Sequence, residues 1–70
     1  MPTYEAAVYN RKVRDLLRAG DPNDTGLDNE WENIRYIEVQ APNPEQATSK
    51  IERRYPAKLG FVISTLKETS

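Results

Sequence analysis

Between Asn43 and Leu66 (NPEQATSKIERRYPAKLGFVISTL) the chain carries its clearest helix start, its clearest helix stop and its most strand-like run. Asn43 has the chemistry of an N-cap. Pro44 follows at the first helical position, where a missing N–H costs nothing, and Gln46 falls at N3. Ala47, Ile51 and Tyr55 recur every four residues and so share one helix face. Pro56 ends the helix, Gly60 loosens the chain, and FVIST (61–65) reads as a strand rich in β-branched and aromatic residues.

The N-terminal half is less explicit. Tyr4 to Tyr9 reads with period two as a strand, placing Tyr4, Ala6 and Val8 on one face. With a period of 3.6 it extends a long helix capped by Thr3, with Ala6, Tyr9, Val13 and Leu16 in line. Strand then helix is the better reading, because Asn10 is a good N-cap in mid-run and a single long helix leaves the sheet short of strands. Arg11 to Ala19 is helical either way. Val13, Leu16 and Leu17 share its apolar face, Arg11, Arg14 and Arg18 lie opposite, and Gly20 suits the C′ position.

Gly20 to Asn29 (GDPNDTGLDN) has the composition of a loop, from whose end Leu27 and Trp31 are expected to fold back onto the core. Asn33 to Ala41 alternates as a strand, with Ile37 and Val39 on one face and Ile34 and Tyr36 on the other. Apolar groups on both faces suit a central strand, or one whose second face takes a partner. Residues 67–70 form a polar tail expected to fray. The order is β-α-β-α-β within a single small α+β domain spanning 1–70. Two layers are expected, about three strands with two helices on one face. Strand order and direction stay open.

Composition narrows the chemistry. Seventy residues support one thin core, and with neither cysteine nor histidine there is no disulfide framework and no zinc site of the usual kind. That combination fits a reducing cytoplasm. No apolar run approaches the roughly 20 residues that span a bilayer. Without staples such a core supplies net stability of about 3–5 kcal/mol, so support from dimerisation or a partner is physically reasonable. The commonest catalytic acid, base and thiol nucleophile are absent, and the three glycines are too scattered for a phosphate-cradling loop. Neither an enzyme nor a bound cofactor is expected.

Net charge is −1, but its distribution runs basic, acidic, basic. In the acidic segment, Asp21, Asn23, Thr25, Gly26 and Glu32 resemble the twelve-position calcium loop of EF-hand proteins, which needs oxygen ligands at positions one, three and five, Gly at six and Glu at twelve. The resemblance covers those twelve residues and departs from the pattern at Pro22, Thr25 and Asp28. A solvated Ω-like loop accounts for the same residues through turn chemistry and is preferred. In the second basic segment Lys50, Arg53 and Arg54 flank the Ala47–Ile51–Tyr55 stripe, with Glu45 and Glu52 on its other edge. Together with Lys58 they offer a nucleic-acid-binding edge, against the plainer role of solvated stems covering the core rim. The six aromatics read mainly as core and core-rim residues.

A protein-contact surface ranks above nucleic acid. Helices can cover one face of the sheet, leaving Ile34 and Tyr36 to meet a second copy or another protein unless the long loop covers them. The expected function is that of a small non-catalytic accessory or regulatory protein, a possible homodimer, acting through protein–protein interaction.

Overall fold

The computed structural model describes residues 1–69. The order is β1 (Thr3–Asn10), α1 (Arg11–Arg18), β2 (Arg35–Gln40), α2 (Pro44–Arg54) and β3 (Phe61–Glu68), with 3-10 turns at Asn29–Glu32 and Ala57–Leu59. The sheet runs β2-β1-β3, and both neighbouring pairs are antiparallel. The α+β class and the β-α-β-α-β order expected from the sequence are therefore present.

β1 is the centre of the sheet, not the Asn33–Ala41 strand. The sequence pattern that suggested a central position for that strand, apolar residues on both faces, arises differently. Ile37 and Val39 face the helices, whereas Tyr36, Glu38 and Gln40 stand exposed on the other side of an edge strand. β1 instead buries Tyr4, Ala6, Val8 and Asn10 on the helix side. These residues meet Val13 of α1 and Ala47 and Ile51 of α2, so both helices serve one face, as two-layer packing of so short a chain requires. Trp31, Tyr55 and Phe61 close the core at one end, with ring centroids 5.1–5.3 Å apart in tilted and edge-on pairs.

Both helices begin as their sequences predict. The Gln46 N–H donates to Asn43 Oδ1 (2.9 Å), with Pro44 at the first helical position. The Val13 N–H donates to Asn10 Oδ1 (3.0 Å). Asn10 does more than cap, however. It is fully buried, and its Nδ2 donates to the Leu59 carbonyl (3.1 Å), while the adjoining Arg11 N–H donates to the Gly60 carbonyl (2.7 Å). Gly60 lies at φ +100°, and a Cβ there would come within 2.8 Å of both Asn10 Oδ1 and Lys12 Cγ. Gly60 is thus not a loosened link but a position where only glycine fits.

Two further expectations change. Arg14 does not stand in solvent with Arg11 and Arg18. Its Nε donates to the Glu32 carbonyl (2.8 Å) and its guanidinium lies 3.7 Å from the centre of the Tyr9 ring, a cation–π contact that offsets the cost of ordering the side chain. The tail is ordered as far as it is described. β3 continues to Glu68, and the Thr69 N–H donates to the Thr3 carbonyl (2.8 Å); Ser70, part of the expected frayed segment, lies outside the described residues.

The Asn10–Gly60 joint carries a testable cost. Asn10→Ala removes a cap and leaves the half-buried Leu59 carbonyl without its side-chain donor, for a loss of about 1–3 kcal/mol. Gly60→Ala forces a side chain into left-handed backbone and into Asn10, for a loss of about 2 kcal/mol or more. Urea denaturation followed by far-ultraviolet circular dichroism measures both. Unchanged midpoints would show that the two turns do not depend on each other.

Candidate functional site

The face of the sheet turned away from the helices is built by alternation. In register across the strands, Tyr36 stands opposite Ala7 and Glu38 opposite Glu5, while Thr65 and Lys67 flank Ala7 and Glu5 from β3. Tyr36 is 68% exposed, and Ile34, two residues earlier and just outside β2, is 44% exposed. Ala7, only 5% exposed, forms the floor between its taller neighbours. The 20–32 segment does not cover this face. Trp31 is buried in the core on the helix side, and Leu27 packs against the same cluster. Ile34 and Tyr36 are therefore presented together, beside Tyr9 with its stacked Arg14.

Charge on this face is uneven. Glu5 and Glu38 are directly opposed on adjacent strands, an unfavourable like-charge pair, and Lys67 Nζ lies 3.7 Å from Glu5. The face thus has an aromatic and aliphatic end near Tyr36 and an acidic end near Glu5. Sequence reading did not find Tyr9, Arg14 or Glu5 as members. Tyr9 and Arg14 come together only because the chain turns sharply at Asn10, and no fixed spacing within one element announces such a contact.

The four basic residues proposed as an alternative site do not form one strip. Lys50 Nζ donates to the Gln40 carbonyl (2.6 Å), at the end of the sheet where Gln40 pairs with Thr3. Lys58 sits at the other end, its carbonyl accepting from Lys12 Nζ (3.2 Å) two residues before Gly60, beside the Asn10–Phe61 pair. The two ends of an eight-residue strand lie about 23 Å apart. Arg53 shares the Lys50 flank, with Gln46 and Ser49, along a shallow depression. Arg54, exposed at the end of α2, has its guanidinium 5.8 Å from the centre of the Tyr55 ring.

In the acidic loop the side chains of Asn23, Thr25 and Asp28 bond within the loop itself. Asn23 braces it: Nδ2 donates to the Leu27 carbonyl and to Asn29 Oδ1, both at 2.7 Å, and Oδ1 accepts from the Thr25 N–H and hydroxyl. Asp28 Oδ1 accepts from the Glu30 N–H (2.9 Å) and Glu30 pairs with Arg35 (2.8 Å). Among the described residues no group of three or more His, Cys, Asp or Glu side chains gathers in a form that could hold a metal ion. The same side chains provide the turn chemistry of a braced Ω-like loop.

No family model, curated protein or solved structure matches this chain. No helix among the described residues is long and apolar enough to cross a membrane.

One titration is set by this architecture. Burial, reinforced by the carboxylates of Glu68 and Glu45, raises the pKa of the Tyr4 hydroxyl above its ordinary value of 10.0. The folded state therefore holds the phenol proton more tightly than the unfolded chain. Its contribution to stability is complete below pH 10.0 and is lost as pH rises through the folded-state value. Tyr4→Phe is expected to flatten the alkaline fall in denaturation midpoint above pH 10.0. An identical alkaline slope in the variant would contradict the assignment.

Proposed function

We propose that this chain is a small non-catalytic accessory or regulatory protein that works by protein–protein contact through the open face of its sheet, with Ile34 and Tyr36 at the centre of the contact. The observation that carries the reading is Tyr36, 68% exposed on an edge strand with Ile34 beside it and the small Ala7 opposite. A large aromatic and a branched aliphatic side chain held out on a sheet face, with low rotamer freedom and a small neighbour, form the kind of anchor that dominates binding energies. A second copy and another protein are both able to supply the complementary surface. The nucleic-acid alternative has less support, because Lys50 and Lys58 stand at opposite ends of the sheet and Lys50 is tethered to Gln40.

A photo-crosslinking side chain introduced at Tyr36, with Ser49 on the exposed side of α2 as the comparison position, tests this reading in cells expressing the full chain. The expected result is an adduct of defined mass from position 36, absent from position 49 and reduced at least about tenfold by Ile34→Glu, a loss typical of an interface anchor. Ile34→Glu leaves the denaturation midpoint nearly unchanged, because Ile34 is exposed. The adduct mass distinguishes a second copy from another protein. Equal labelling from both positions, or none from position 36, would overturn the reading.

A further inference from the structure

The sheet has a second unsatisfied border, unconnected with the open face. β3 is an edge strand of eight residues, and along its outer side the main-chain N–H and C=O groups have no strand partner. On the helix side of that edge, α2 and β3 border a shallow groove. Tyr55, Phe61 and Ile63 give it apolar walls, and Thr48 and Glu52 line the helix bank. Glu45, Thr48, Glu52 and Tyr55 follow one another at three- and four-residue spacing, so they occupy one flank of α2.

That flank is acidic along its length. The pairing of Tyr4 with Glu68 sets Glu68 at the far end of β3 on the helix side, where it and Glu45 both bear on the Tyr4 hydroxyl. None of Glu45, Glu52 and Glu68 belongs to an ion pair among the described residues. The opposite flank of α2 carries Lys50 and Arg53, and the β2 edge beneath it is already engaged, by Lys50 at Gln40 and by the Arg35–Glu30 pair at its start. The two edges of the sheet are therefore unlike. β2 has its Gln40 carbonyl taken by Lys50 and lies beside the basic flank of α2, whereas β3 borders an apolar groove with an acidic bank. In β3 the shift of register between Ala7 and Val8 leaves Ser64 as a bulge just past the groove, so the continuous run beside it is Phe61–Ile63.

We propose that the β3 edge and this groove receive an extended segment of another protein, added to the sheet as a fourth strand. Main-chain hydrogen bonds to β3 hold the segment in register. Every second side chain points toward α2, and those positions carry apolar residues against Phe61, Ile63 and Tyr55 and basic residues against Glu52 and Glu68. Charge complementarity selects the occupant: three carboxylates without cationic partners favour lysine or arginine and disfavour an acidic strand. A second copy is the weaker fit, because pairing β3 with another β3 brings two acidic banks together.

The probe is a capped heptapeptide, Lys-Thr-Val-Thr-Val-Thr-Lys, whose lysines and valines share one face in either strand direction. Amide chemical shifts of the isotope-labelled full chain are followed as the peptide is added at low salt. The expected result is saturable shifts confined to β3 (61–68) and to 48–55, with slowed hydrogen exchange along β3. Binding weakens at least about fivefold in the exposed variant Glu52→Lys. The counterpart with glutamate in place of lysine, and the peptide N-methylated throughout, are each expected to bind at least about tenfold more weakly. Shifts centred on β2 or on Tyr36 would overturn the proposal. So would equal binding of the methylated peptide, which would mean charge contact without strand addition. A dimer formed through β3 without peptide, or no saturable binding, would overturn it as well.

Discussion

Everything in this small fold passes through Asn10. Its side chain caps α1 with one atom and holds the Leu59 carbonyl with another, and the next residue bonds to Gly60. Two turns that lie far apart in sequence, β1 to α1 and α2 to β3, are thereby one joint. The Asn10 side chain is fully buried, so its hydrogen bonds are costly to leave unmade. The joint also explains why β3 lies beside β1. With Asn10 opposite Phe61 and bonded to the preceding turn, β3 must start beside the end of β1 and run back along it. β2 then takes the remaining side.

Much of this was legible in the sequence where the cause is local. The two asparagine caps, Pro44 at the helix start and the four-residue stripe of α2 are short-range effects, and each appears as the residue types require. The choice of strand over helix for Tyr4 to Tyr9 also followed from a local signal, the cap at Asn10. What was not legible depends on partners distant in sequence. The placing of β3 beside β1 follows from the Asn10 joint, and the ordering of Thr69 follows from its bond to Thr3, neither of which any window of residues contains. Gly60 reads as a flexible link until the side chains it must clear are known. Arg14 reads as solvated until Tyr9 is found beneath it.

The candidate site was legible in part for the same reason. Alternation alone places Tyr36 opposite in direction to Ile37 and Val39, and packing of the latter pair against the core leaves Tyr36 outside. Whether another part of the chain would cover it was a question of tertiary structure, answered by Trp31 packing on the helix side. The basic residues form a single group in sequence but divide between the two ends of the sheet once α2 and its following turn are placed. Sidedness is the property that links fold to proposed function. A three-stranded sheet with one helical layer has a face and two edges left over, and in this chain they differ in chemistry: the face is aromatic at Tyr36, the β2 edge lies beside the Lys50–Arg53 flank of α2, and the β3 edge beside its Glu45–Glu52 flank.

The face bearing Ile34 and Tyr36 is open to contact in the isolated chain. The most direct measurement is the relaxation of side-chain protons by a soluble gadolinium chelate at micromolar protein concentration. Strong relaxation of Tyr36 and Ile34, with Val8, Val13 and Ile51 unaffected, is the predicted result. If Tyr36 is as protected as Val8 under those conditions, the chain covers its own sheet and that face is not a contact surface.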